Sequence, residues 1–206
     1  MSHDPLEMML RSFRLPTMAS LYQTSLQEAE KNDWGYRKFL LHLCESESQD
    51  RQERRVTRLL KQSGLPEGKS HYLAAIGREM VLRHQYRTLF IPTFKLVQQL
   101  LNAKKELRLE EALKKLDRYE LVILDDIGYV QQNREEMDVL FTFLAERYER
   151  RSVMITSNLV FSKWDQIFKD PMTTMAAIDR LVHHSIILEF TGESVRNRKA
   201  KEKNKD

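Results

Sequence analysis

Apolar positions along the first 62 residues recur at helical spacing. Leu6, Met9, Leu10 and Phe13 form one such set, and Pro16, whose ring removes a backbone donor, breaks it. A second helix is predicted from about Thr17 to Lys31, closed by Asn32-Asp33-Trp34-Gly35. A third runs from near Tyr36 to Leu60 with Phe39, Leu40 and Leu43 inward. Ser63-Gly64-Leu65-Pro66-Glu67-Gly68 is the one concentration of Gly and Pro, so the boundary of an α-helical N-terminal domain, residues 1–62, falls there. The rhythm then changes. A helix over 70–84 leads to a short apolar strand, Thr88-Leu89-Phe90-Ile91. Leu96, Leu100, Leu107, Leu109, Leu113 and Leu116 give one or two helices. Strands follow at Leu121-Val122-Ile123-Leu124, Val153-Met154-Ile155-Thr156 and Ile186–Phe190, separated by helices over 133–150 and 161–182. Short apolar strands alternating with helices predict an α/β core, residues 63–192, around a parallel sheet covered on both faces, followed by a basic tail, residues 193–206.

Composition narrows the class. Hydrophobic residues are 41% and charged residues 31%, a globular profile, and no apolar run approaches the roughly 18 residues that cross a bilayer. The N-terminus lacks the basic start and long apolar stretch of a secretion signal, and one cysteine excludes an internal disulfide. A cytoplasmic, reducing setting is the expectation. Cys44, inside the apolar run Phe39–Cys44, reads as a small core residue. The net charge of +4 is unevenly spread, with Arg51, Arg54, Arg55, Arg58 and Lys61 on one helical segment and a basic run from Arg196 onward. Either these are a solvated helix face and a free tail, or they meet the phosphates of a polyanion.

Three motifs carry candidate chemistry. Gly64-Leu65-Pro66-Glu67-Gly68-Lys69-Ser70 resembles a Walker A loop, which turns backbone N–H groups onto phosphates while its Lys neutralises them and its Ser holds Mg²⁺. The usual loop has four residues between its glycines and follows a buried strand. Here there are three, and a charged helical stretch precedes them. Leu121-Val-Ile-Leu-Asp125-Asp126 has the Walker B pattern, in which Asp125 holds the Mg²⁺ shell and Asp126 orients the attacking water; the same acids also suit a strand end and turn cap. Ile155-Thr156-Ser157-Asn158 sets a polar amide beside those acids, at the strand ends where α/β ligands bind. His183 and His184 lack ligand-spaced partners and read as structural.

Together these strings resemble the IstB-type helper ATPases of insertion-sequence transposition, relatives of the DnaC helicase loader within the AAA+ class. The resemblance rests on Phe13-Arg-Leu-Pro-Thr-Met18, Gly68–Gly77, Leu121–Val130, Glu146–Ser152, Ile155–Leu159, Asp179–His184 and Gly192–Arg196, in family order along nearly the whole chain. It implies a parallel-sheet P-loop NTPase core of the AAA+/ASCE kind with an α-helical N-terminal domain. It implies Lys69 and Ser70 as Walker A with Gly64 and Gly68, Asp125 and Asp126 as Walker B, and Asn158 as sensor 1. It also implies Arg180 as an arginine finger offered to a neighbouring subunit, and Arg196 as a sensor-2-like residue. By its own residues, Arg180 reads first as one half of a surface ion pair with Asp179. The implied cofactors are ATP and Mg²⁺. The implied partners are double-stranded DNA, the transposase of the same element and further copies of the chain, with no membrane. Such relatives carry several dozen more residues between the N-terminal helices and the P-loop, including the central strand that feeds it. An internal deletion joining two similar Gly-Leu-Pro strings would account for their absence here. Three functions are therefore open: an ATP-dependent transposition helper, a helicase loader, and a catalytically dead interaction remnant.

Overall fold

The computed structural model describes residues 4–66, 72–127, 134–159, 183 and 185–189, and the chain divides into two compact units, Met1–Leu89 and Phe90–Asp206. In the first unit, α1 (Pro5–Ser12) is started by Asp4, whose carboxylate accepts the Leu6 N–H at 2.9 Å, with Pro5 in the first turn where its missing donor costs nothing. α2 (Pro16–Lys31) begins at Leu15, which has no side-chain acceptor to offer. A carboxylate from α3 (Tyr36–Ser63) supplies one instead. Glu47, only 3% exposed, accepts from the N–H groups of Thr17 at 2.8 Å and Met18 at 3.1 Å. A negative charge at a helix N-terminus also opposes the macrodipole favourably. Arg51 and Arg54 each reach the other Glu47 oxygen at 3.4 Å, Arg54 pairs with Asp50 at 3.1 Å, and Arg51 donates to the Arg14 carbonyl at 3.0 Å. The Phe13–Met18 string is thus a built corner: Arg14 takes a positive φ of 61°, Pro16 opens α2, and Glu47 closes it.

The inward face of α3 differs from expectation. Its buried residues are Leu43, Glu47, Leu59 and Ser63, a stripe at helical spacing. Leu40 is 58% exposed, and Cys44 is exposed rather than a core residue. The run Phe39–Cys44 is too continuously apolar to name a face; the need of Glu47 to meet the start of α2 sets the rotation, and Cys44 falls beside the stripe. α4 (Tyr72–His84) completes the described part of this unit with Ala74, Gly77 and Val81 buried.

Strand β1 (Thr88–Pro92) spans the division of the chain and is followed by α5 (Thr93–Lys105), α6 (Leu109–Leu116), β2 (Leu121–Asp125), α7 (Arg134–Arg147) and β3 (Ser152–Ile155). The sheet order is β1-β2-β3, and β2 runs parallel to β3 with Leu121 opposite Ser152 and Leu124 opposite Ile155. Leu121 through Leu124 are all at most 2% exposed, so β2 is covered on both faces, the burial that a continuous apolar run requires. Leu96, Val97 and Leu100 of α5 and Leu140 and Phe143 of α7 fill the rest of this core. Arg147 closes its far end. Only 2% exposed, it donates to the carbonyls of Leu116, Tyr119 and Ser152 at 3.0, 2.9 and 3.0 Å, tying the approaches to β2 and β3 together.

Two further expectations change. Leu107 is a turn residue with φ 57° and 94% exposure, between α5 and α6 rather than within a helix. Residues 185–189 form no strand, and Ile186 is 89% exposed. An apolar run becomes a strand only where a neighbour takes up its backbone groups, and these residues are not in the ladder. The helix expected over 161–182 and Phe190 lie outside the described residues.

Candidate functional site

The acids predicted to carry chemistry sit where β2 leaves the core. The ladder with β3 extends one step beyond the strands, the Thr156 N–H donating to the Leu124 carbonyl at 3.0 Å and the Ile127 N–H to the Thr156 carbonyl at 2.9 Å. Between these bonds, Asp126 turns into the left-handed region with φ 55°, a conformation that Asp tolerates better than most residues. The turn interrupts the alternation of side chains along the strand directly after Asp125.

Threonine hydroxyls hold this turn. Thr156 Oγ1 accepts the Asp126 N–H at 2.6 Å and donates to Asp125 Oδ1 at 2.9 Å. Thr93, fully buried at the start of α5, donates its hydroxyl to the Asp125 carbonyl at 3.1 Å. Asp125 and Asp126 themselves are half-buried, Ser157 is half-buried with its hydroxyl accepting the Leu159 N–H at 3.1 Å, and Asn158 is exposed two residues past Thr156. The structure therefore brings Thr156, just past β3, onto Asp125 and Asp126 at the end of β2, with Asn158 two residues farther along the chain.

Gly64 is the C-cap of α3, in the left-handed conformation with φ 66°, and Leu65 N–H donates to Ser63 Oγ at 3.2 Å. Gly68, Lys69, Ser70, Arg180 and Arg196 lie outside the described residues. Among the described residues no three His, Cys, Asp or Glu side chains cluster to hold a metal alone. The chemistry of the donor set still fits Mg²⁺, which takes one or two carboxylates and completes its shell with water and substrate phosphates. Asp125, half-buried at the end of β2, is a carboxylate of that kind. The two threonines were not singled out by motif. The signal for Thr156 is a hydroxyl residue closing a strand next to two acids, and for Thr93 a hydroxyl opening a helix directly after Pro92.

Comparison with known proteins adds the family. The model of the IstB-like ATP binding proteins matches this chain over residues 8–69 and again over 64–203. The chain belongs to that family. A relative from Sinorhizobium fredii, named as an insertion sequence ATP-binding protein, is 37% identical over 241 aligned positions covering 96% of this chain and 80% of its own length. An IS21 ATP-binding protein from Pseudomonas aeruginosa is 32% identical, covering 93% and 88%, and an IS5376 counterpart from Geobacillus stearothermophilus is 31% identical, covering 93% and 94%. Two features of the IstB-like match concern the chain's length. Its two parts overlap, so Gly64–Lys69 is matched twice. The alignment to the S. fredii protein also runs over 241 positions while the chain has 206 residues, so that relative contains residues with no counterpart here.

Proposed function

We propose that this chain is a transposition helper of the IstB type: an ATP- and Mg²⁺-using protein that acts on double-stranded DNA as a homo-oligomer with the transposase of its own element. One observation carries the reading. Within the longer family match, the paired acids end a buried parallel strand and are braced by Thr156, the residue that follows the neighbouring strand and precedes Ser157-Asn158. In this reading Asp125 holds the Mg²⁺ shell, Asp126 orients the attacking water and Asn158 meets the terminal phosphate or that water. Gly64, Gly68, Lys69 and Ser70 supply the phosphate loop, Ser70 also binding the metal. Arg180 serves a neighbouring subunit's nucleotide, and Arg196 contacts nucleotide in a supporting role. Mg²⁺, when bound, neutralises charge on the phosphates; the protein's share is to position groups around it.

The test measures binding of a fluorescent ATP analogue to the chain with and without Mg²⁺, beside Asp125→Asn. Binding that tightens with Mg²⁺ in the parent and not in the variant supports the reading, and Mg²⁺-independence in both counts against it. DNA affinity is expected to fall steeply with salt, since backbone contacts release counterions.

A second reading is favoured by the doubly matched Gly64–Lys69 string and the longer relatives: a remnant whose N-terminal helices still bind partner or DNA while the ATPase is inactive. A deletion between two similar strings would remove the strand that leads into the phosphate loop, leaving the acids without their phosphate-binding counterpart. The helicase-loader alternative differs in partner, and a transposase gene beside this one decides between them.

A further inference from the structure

The hydroxyl of Thr156 stands between two groups that can bond in only one sense. A backbone N–H can only donate, and an ionised carboxylate can only accept, so the hydroxyl must accept from Asp126 and donate to Asp125. The arrangement has a fixed direction and joins the backbone of one acid to the side chain of the other. It also joins β3 to the turn, because the Thr156 main chain carries the last two rungs of the ladder on either side of Asp126. Three consequences follow from these bonds. The Asp125 carboxylate is held in one orientation, with Oδ1 taken up on the side of β3. The left-handed φ of Asp126 is locked by its own N–H. The end of β3 is held to the turn by the same hydroxyl.

We infer that Thr156 is the positioning residue of the acidic half of the site, orienting the Asp125 carboxylate for a divalent cation and setting the Asp126 turn. The inference rests on the proposed role of Asp125 as metal-holding residue. Thr156 touches neither metal nor nucleotide in this role; it acts through the two aspartates. Supporting groups of this kind are worth about 10–100-fold in metal affinity. Valine has nearly the shape of threonine and no hydroxyl, whereas serine keeps the hydroxyl and loses a methyl, so the pair separates hydrogen bonding from packing.

The experiment uses the full chain and Mn²⁺ alone as probe, following paramagnetic broadening of the backbone amides of Ile127 and Thr156 by NMR. Hydrogen exchange of the Asp126 amide is measured in the same samples. Thr156→Val is expected to weaken Mn²⁺ broadening about tenfold or more and to expose the Asp126 amide to exchange, with Thr156→Ser restoring both. Asp125→Asn is expected to abolish the broadening and leave the amide protected. If Asp125→Asn abolishes broadening while Thr156→Val binds Mn²⁺ as the parent does, the positioning role is wrong and the metal role of Asp125 stands. If Asp125→Asn binds as the parent does, or the parent shows no broadening at these amides, the metal role fails and the inference falls with it. Loss of dispersion throughout the Thr156→Val spectrum, with the serine variant equally affected, also overturns it, since the residue would then serve packing alone.

Discussion

Glu47 and Arg147 are buried charges at opposite ends of the functional question, and each is held by backbone rather than by a single opposite charge. Glu47 takes the two N–H groups that open α2, a service Leu15 cannot provide. Removing a helix cap costs about 0.5–2 kcal/mol, and leaving buried donors unsatisfied adds about 1–3 kcal/mol. Glu47→Ala is therefore expected to lower the unfolding free energy of the N-terminal unit by about 2–3 kcal/mol, read from urea denaturation. Glu47→Gln, which keeps an acceptor, should cost less, and an unchanged midpoint in the alanine variant would show the cap to be idle. Arg147 is pushed down to about 10 by burial, its charged form disfavoured by the loss of water. A base whose folded pKa is depressed carries a folding penalty below that pKa and recovers stability as pH rises through it toward the unfolded value. As far as Arg147 is concerned, stability is flat from about pH 6 to 9 and the guanidinium stays charged there. Arg147→Met, which gives up the bonds to four carbonyls, those of Leu116, Tyr119, Glu120 and Ser152, is expected to destabilise the chain by about 1.5–3 kcal/mol at about pH 7, the range for hydrogen bonds from a charged donor; a loss under about 0.5 kcal/mol would mean the carbonyls find water instead.

Along α3, the same kind of partner-by-partner reading divides a basic segment that looks uniform in the sequence. Arg51 and Arg54 are engaged with Glu47, Asp50 and the Arg14 carbonyl, whereas Arg55, Arg58 and Lys61 are exposed on the later turns. If DNA lies along this helix, replacing Arg55, Arg58 and Lys61 together by Ser should reduce the slope of log affinity against log salt by up to about 3, at roughly 0.9 for each phosphate no longer neutralised. Folding should be unaffected. A slope equal to that of the parent would move the DNA-binding face elsewhere. What sequence could and could not reveal follows a similar division. β2 was legible because an apolar run ended by two acids has few other places to go, and α2 because Pro16 and Asn32 bracket a clear helical period. The exposed faces of Leu40 and Cys44, the turn at Leu107 and the absence of a strand at residues 185–189 were not. The first and last depend on a partner distant in sequence, the α2 N-terminus for α3 and an available neighbour for a strand, whereas Leu107 sits in a local left-handed turn that ends α5 without a glycine to mark it. Thr156 was visible as a strand end, but its role appears only once Asp126 turns back toward it.

For the whole molecule, the decisive region is the junction. Gly64 in the left-handed conformation ends α3, as a glycine at the close of an N-terminal helical domain would, yet the string it begins also matches the family pattern a second time, at the start of the longer match. In the proposed function, one stretch of chain is thus asked to be both a helix end and a phosphate loop. Among the described residues the sheet has three strands, with β2 buried from Leu121 to Leu124 and β3, at the end of the order, half-buried from Val153 to Ile155. A phosphate loop relies on a buried strand to aim its backbone N–H groups and Lys at the nucleotide, so a loop fed by a helix end lacks the means to hold phosphates in place. The chain is accordingly expected to bind Mg²⁺–ATP more weakly than micromolar. Grafting the segment that the S. fredii relative has and this chain lacks, before Gly68, should bring affinity into that range, a gain of about 100-fold or more, equivalent to roughly 2.7 kcal/mol. Gly64→Ala tests the same point from the other side. In the present chain it should cost about 1 kcal/mol of stability through the lost left-handed cap, without changing whatever nucleotide affinity remains. Micromolar binding by the chain as it stands, abolished by Gly64→Ala, would mean that the short string is a working phosphate loop and that the acids at Asp125 and Asp126 never lost their counterpart.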